Sequence, residues 1–406
     1  YEVGKGWREA DADVCETVDY LRYYAGEMER LAGLHPLAPL PGEANSYGYA
    51  PKGVALVLAP WNFPMAILAG MTAAALVTGN TVIVKPAPQA PICGAVVAEH
   101  LRRAGIPDGA LNFLPGPAEE IGDFLVGHPG VHLIVFTGSR QVGCHIVRLA
   151  AEVAPGQRHL KKVIAEMGGK NAIIVDRDAD LDEAVLGTVQ SAFGYGGQKC
   201  SACSRVIVLD PLHDRFVERL VAAARSLRIG PPQEPGYALG PLIDERARAK
   251  ALRYIALGTR EATLAYQAEV AHLAEGYYVG PAIFTDVPPA AAIAREEIFG
   301  PVLAVLRARD LDDALALAND GEYALTGGLY SRHPGHIARV KRDFAVGNLY
   351  INRKITGAIV ARQPFGGFRL SGTGTKAGGP DYLLHFMDPR TITEQTLRRG
   401  FAPETM

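Results

Sequence analysis

The stretch "GVALVLAPWNFPMAILAGMTAAALVTGNTVIVKP", residues 53–86, decides the fold. A run apolar at successive positions, "VALVL", passes through a turn marked by Pro60, Asn62 and Pro64 into an alanine-rich helical pattern, and a second such run, "TVIVK", follows. Strands apolar on both sides are written for burial on both faces, and a helix joining two of them is the crossover of a parallel pair. No charge occurs between Gly53 and Val84, so a membrane span has to be weighed. The two prolines leave only 65–77 helical, and about 13 residues at ~1.5 Å each reach roughly 20 Å, short of a ~30 Å hydrocarbon core. The stretch therefore reads as the interior of a globular α/β domain, with no membrane partner.

The same alternation continues outward through "ICGAVVAEHLRRAG", "LNFLPG", "EEIGDFLVGH", "VHLIVFTGS" and "VIAEM". This predicts a Rossmann-like, doubly wound domain, whose ligands sit beyond the C-terminal ends of the strands. The turns to inspect are "PWNFP", "KPAPQ", "LPGP" and "FTGSRQVG". A second α/β block runs from "NAIIVD" through helix 181–193, "RVIVLD", helix 213–228, "PVLAVLRA", helix 311–319 and "GNLYINR". Residues 230–300, loose and rich in Gly, Pro and Ala, are expected to be connections and small helices. "HPLAPLPGEANSYGYAPKG" (35–53) and "HFMDPRTITEQTL" (385–397) fit neither block and predict a projecting β extension that pairs with another subunit.

With 406 residues and a net charge of −2, the chain has room for two or three domains and no global basic field of the kind that attracts nucleic acid. Its five cysteines are odd in number and scattered, which suits a reducing cytoplasm better than a disulfide framework. The chain opens on Tyr1 and enters a helical pattern at once, so a further segment upstream is expected.

"FGYGGQKCSACSR", 193–205, holds two cysteines three apart. A lone CxxC lacks the further ligands zinc needs, so no metal is expected, and a thioredoxin-like redox pair calls for a different context. Cys203 reads as an apolar filler. Cys200 follows glycines that let a substrate approach the backbone, and its own N–H could face a developing oxyanion, so it is either a nucleophile or a second filler. Glu166 ends the apolar run "VIAE", where a carboxylate is an odd choice; it is a general base with a raised pKa or a solvated strand-end charge. Asn62 is an oxyanion donor or a plain turn residue. Ser139, between Gly138 and Gly143, offers a hydroxyl and a helix N-terminus to a phosphate, or simply turns the chain.

"PWNFP", "GNTVIVKPA", "FTGS", "EMGGKNAIIV", "GQKCSACSR", "EEIFGPV", "GNLYIN" and "QPFGGFRLSG" occur in that order, and with them the whole chain resembles the aldehyde dehydrogenase family. "NRKITGAIVARQPFGGF" resembles the branch of that family that oxidises glutamate γ-semialdehyde, formed from 1-pyrroline-5-carboxylate, to glutamate in proline degradation. The resemblance implies Cys200 as nucleophile, Glu166 as general base and Asn62 as oxyanion donor. It implies NAD as cofactor, with Gly138, Ser139 and Gly143 in the pyrophosphate turn, Lys85 at the adenine ribose, Glu297 at the nicotinamide ribose and Phe299 beside the nicotinamide. It implies that Ser201 and the backbone of Gly357 and Ala358 take the substrate's α-carboxylate while Phe63 and Phe365 flank its stem. It also implies a homo-oligomer, dimer or higher, with residues 1–34 and 53–167 as the cofactor domain, 168–384 as the catalytic domain and 35–52 with 385–406 as the oligomerisation extension.

Two positions depart from the pattern. Pro88 stands where many NAD-using relatives carry a Glu that would repel a 2′-phosphate, so NADP use is expected alongside NAD. Gly374 stands where relatives often have Asn. The rival readings are a different small aldehyde, a cofactor-free thiol hydrolase built on Cys200 and a histidine, and a catalytically silent homologue.

Overall fold

The computed structural model describes residues 1–273 and 275–397. Helix α1 (Trp7–Leu31) opens the chain, followed by β1 (His35–Pro36) and β2 (Glu43–Pro51). The stretch 53–86 then forms β3 (Val54–Leu58), helix α2 (Ala66–Val77) and β4 (Thr81–Lys85), the predicted crossover. Helix α3 (Pro91–Arg103), β5 (Leu111–Phe113), α4 (Ala118–Gly127), β6 (Leu133–Thr137), α5 (Arg140–Ala150) and β7 (Lys162–Glu166) complete an all-parallel sheet of order β5-β4-β3-β6-β7. Successive strand residues serve opposite faces: Ala55 and Val57 pack with α1 and α2, whereas Leu56 packs with α4 and α5. No helix among the described residues is long and apolar enough to cross a membrane.

The second sheet uses β8 (Asn171–Val175), β9 (Cys203–Leu209), β10 (Thr263–Gln267), β11 (Ala282–Thr285) and β12 (Val302–Ala308). A short β13 (Tyr323–Ala324) precedes its last two members, β14 (Thr326–Tyr330) and β15 (Asn348–Ile351). Its order is β10-β11-β12-β9-β8-β14-β15, parallel throughout except for β10. Here too the strands are sandwiched: Ile173 and Val175 face one core, Ile174 the other. The expectation for 230–300 is corrected. That region contains a 17-residue helix, Glu245–Glu261, and both β10 and β11. The helix is charged on its outer side, and β10 is an exposed edge strand, so neither shows the apolar run by which the inner elements declare themselves.

Short strand β16 (Phe368–Arg369) pairs with β13, and β17 (Met387–Gln395) pairs antiparallel with β2 over nine residues, from Met387 opposite Pro51 to Gln395 opposite Glu43. With β1 they form a three-stranded sheet of order β1-β2-β17. Of the proposed extension, residues 398–406 lie outside the described residues.

Candidate active site

The cofactor-type sheet reverses its winding between β3 and β6, and ligands of such sheets collect in the crevice beyond that point. The turn after β3 delivers Pro60, Trp61 and Asn62 there, and the turn after β6 delivers Gly138 and Ser139. All five line a cavity of about 270 Å³, shared with Met167, Gly168, Cys200, Lys250, Glu297 and Phe299. Ser139 is the N-cap of α5, accepting from the Val142 N–H at 3.4 Å, so the positive end of a helix opens on this cavity. The Glu297 carboxylate accepts from the Gly169 N–H at 3.0 Å, and burial holds its pKa above the ordinary range against the pull of that N–H and of Lys250 and Lys170. Phe299 sits at φ 61°, edge-on to Trp61 with ring centroids 5.6 Å apart. Lys85 and Gly143 stand apart from the lining. Lys85 is buried at the end of β4, with the Pro86 carbonyl 3.5 Å from its Nζ. Gly143 gives α5 its close approach to the sheet: a Cβ there would lie 2.5 Å from Met167 Sδ.

A second cavity, about 380 Å³, is lined by Phe63, Ser201, Gly357, Ala358 and Phe365, so all five residues expected around the substrate meet there. The N–H groups of Gly357 and Ala358 find no backbone acceptor among the described residues, which leaves them free for an anion. The same cavity is also lined by Glu9, Glu16 and Asp19 of α1, which sequence reasoning missed. Burial first, then Asp13, pushes Glu16 up to about 7. Glu9 is tied to Lys199, which precedes the cysteine, at 2.7 Å.

A third, small cavity of about 50 Å³ holds Glu166, Met167 and Thr137. Glu166 accepts from Thr375 Oγ1 at 3.1 Å and from the Gly367 N–H at 3.3 Å. Burial nevertheless dominates and raises its pKa to about 8, with Thr375, Gly367 and Lys376 opposing.

Cys200 lines all three cavities. The chain reaches it through Tyr195, Gly196 and Gly197, all left-handed at φ 55°, 61° and 72°. Gln198 anchors the loop: its carbonyl accepts from Asn62 Nδ2 at 3.0 Å, and its Oε1 accepts from the Ile243 N–H at 2.9 Å. Asn171, also missed, grips the other side, donating to the carbonyls of Cys200 (2.7 Å) and Ala202 (2.9 Å) and accepting from Thr326 N–H (3.0 Å). Burial, reinforced by Glu297 and Glu166, pushes the Cys200 thiol up to about 12, while the N–H groups of Ser201 and Cys200 pull it down. Cys203, the first residue of β9, is a separate free thiol buried in the core. Gly374 adopts φ +85°, a conformation open to Asn as well, with nothing among the described residues within 4 Å of a Cβ.

The donor set suits a dinucleotide. A helix N-terminus and a serine face the cavity of about 270 Å³, a carboxylate able to accept from ribose hydroxyls lines it, and the Lys85 ammonium has donor capacity to spare.

The aldehyde dehydrogenase family profile matches residues 1–392. A curated protein of Geobacillus kaustophilus named 1-pyrroline-5-carboxylate dehydrogenase is 50% identical over 393 residues, covering 97% of this chain and 76% of its own length. The protein of that name from Bacillus subtilis is equally similar. Among solved structures, 1-pyrroline-5-carboxylate dehydrogenase from Thermus with bound NAD superposes with a TM-score of 0.94 at 48% identity, covering 97% of this chain and 76% of that one. Proline utilization A from Bdellovibrio bacteriovorus, inactivated by N-propargylglycine, gives 0.97 at 53% identity; all of this chain is covered, but it spans only 42% of that protein. With its parallel sheets and the crevice between them, the chain belongs to the aldehyde dehydrogenase family.

Proposed function

We propose that this chain oxidises L-glutamate γ-semialdehyde, the open form of 1-pyrroline-5-carboxylate, to L-glutamate with NAD as hydride acceptor. The observation that carries the reading is the position of Cys200 where three cavities meet: one suited to a dinucleotide, one suited to a zwitterionic chain, and one holding a buried carboxylate. The free N–H groups of Gly357 and Ala358 suit a carboxylate, the acidic face of α1 suits an ammonium, and Phe63 and Phe365 suit the methylenes between.

The Cys200 thiol first gives its proton to solvent water, and Sγ bonds the aldehyde carbon as the carbonyl π pair moves onto oxygen. The resulting alkoxide is held by the Asn62 amide, already oriented by the Gln198 carbonyl, and by the Cys200 N–H. Removing one such donor typically costs ~10²–10³ in rate. NAD, which Ser139, Glu297 and Phe299 would hold, would supply a nicotinamide ring able to accept the hydride that leaves the former aldehyde carbon as its C=O bond re-forms. An acyl thioester then remains on Cys200. Glu166 takes a proton from water, the oxygen adds to the thioester carbon, and breakage of the C–S bond releases the acid and restores the thiolate.

Cofactor reduction with 1-pyrroline-5-carboxylate, propanal and succinate semialdehyde, using Cys200→Ser as control, tests the reading. A kcat/KM at least about 10²-fold higher for 1-pyrroline-5-carboxylate is expected, because a site built for polar groups rejects analogues lacking them. Equal rates across the panel would leave an aldehyde dehydrogenase of another substrate. Product without cofactor would overturn the redox chemistry itself.

A further inference from the structure

We propose that Lys5 is a positioning residue for substrate selection: clamped by Asp13, its ammonium holds the Phe63 ring in place as a wall of the substrate cavity. The inference rests on the substrate reading above. Lys5 Nζ lies 3.1 Å from Asp13 Oδ2, with the two side chains only 4% and 5% exposed. The same nitrogen sits 3.9 Å from the centroid of the Phe63 ring and 5.3 Å from that of Tyr195. Phe63 lines the substrate cavity; Lys5 does not.

A buried ion pair is poor value for stability alone, because apolar side chains of the same volume commonly do as well. Its worth here is geometric. Asp13 Oδ1 also accepts from the Ala66 N–H at 3.0 Å, so one carboxylate fixes both the ammonium and the first turn of α2, just after Asn62 and Phe63. A desolvated cation is drawn to the face of an aromatic ring, not its edge, which ties the ring plane to the Asp13–Ala66 frame. The Tyr195 hydroxyl donates to the Val3 carbonyl at 2.6 Å, anchoring the nucleophile loop to the same N-terminal segment. Residues 3–13 thereby set the relative placement of the Phe63 wall and the Cys200 loop. An aldehyde with a stem long enough to lie along Phe63 feels that placement, and propanal does not.

The test uses the protein at its natural full length. Because Lys5→Met alone strands the Asp13 charge, the principal variant is Lys5→Met with Asp13→Asn, in which the amide oxygen can still accept from Ala66. We expect KM for glutamate semialdehyde to rise roughly 5- to 30-fold, the range of a desolvated cation–π contact, with kcat changed less than about twofold and propanal kcat/KM unchanged. Lys5→Arg should keep most of the selectivity. Phe63→Leu should reproduce the shift, and adding it to the double variant should change little more, as expected for residues acting in one chain. Equal losses for both aldehydes would mean a merely structural role and would overturn the proposal. So would a wild-type preference that persists unchanged in the double variant, which would leave the substrate reading intact. A wild-type enzyme with no preference would overturn the substrate reading and this proposal together.

Discussion

Glu166 combines two properties that rarely meet in one carboxyl group: burial and a place in the same cavity as the Cys200 thiol. With its pKa raised to about 8, the group is mostly protonated at neutral pH and becomes a base only as pH rises. The sign of the pH dependence follows. Thioester hydrolysis, followed as the slow phase after a burst of cofactor reduction, should climb about tenfold per pH unit below that value and flatten above it. Glu166→Gln should keep the burst and lose ~10²–10⁴ of the following turnover. A slow phase flat between about pH 6 and 9 would remove Glu166 from the base role. Pro88, exposed in the turn after β4, makes a second test at this scale. NADP should support measurable activity, and Pro88→Glu should lower kcat/KM for NADP by at least about tenfold with NAD little affected, because like charges brought together repel. Cys200, Glu166 and Asn62 were legible as candidates because each is locally odd, a thiol behind glycines, a charge ending an apolar run, an amide between prolines. Asn171, Gln198, Asp13 and Lys5 were not, because their partners lie far away in sequence: Asn62 meets Gln198 across 136 positions and Asp13 meets Ala66 across 53.

At the scale of elements, the loop that carries Cys200 is held by conformations few residues tolerate. A Cβ on Gly197 would lie 2.4 Å from the Gly300 carbonyl oxygen, and its φ of +72° disfavours any side chain. Gly197→Ala therefore meets both strain, ~1–3 kcal/mol for a left-handed non-glycine residue, and a backbone clash. Gly33 has φ +86° and, among the described residues, nothing within 4 Å of a Cβ, so Gly33→Ala meets the strain alone. Both variants should lower Tm, but only Gly197→Ala should also lose most of its kcat, since the clash moves the residue three positions before Cys200. Equal kcat in the two variants would show that the loop geometry is not needed for chemistry. The same scale shows where the pattern of the sequence ran out. Strands β3, β4 and β6 announce themselves because both faces are apolar, whereas β14 reads "TGGLY": Gly327 packs against Phe344, and Gly328 against Ile355, with no side chain of their own to signal a strand.

At the scale of the whole molecule, every residue lining the three cavities lies between α1 and Tyr382, while β2 and β17 belong to a separate three-stranded sheet. Among the described residues β17 is an edge strand paired on one side only, and every residue after Met387 in it is exposed. An apolar fringe accompanies it: Leu34, Leu40 and Leu397 are 59%, 55% and 44% exposed, beside Ile392 at 39%. A long open edge with an apolar fringe is a template for pairing with another chain unless something covers it. We expect a second copy to cover it. The cut that tests this is set by the core. Phe386 is fully buried and its carbonyl accepts from Asn80 Nδ2 at 3.0 Å, and Met387 is 3% exposed, so the deletion must begin at Asp388. Loss of the chain from Asp388 onward should lower the mass measured by light scattering to that of one protomer while leaving the three cavities their full lining. Retention of the wild-type mass would place self-association on another surface, and a monomeric wild-type protein would leave β17 with a role inside its own chain only.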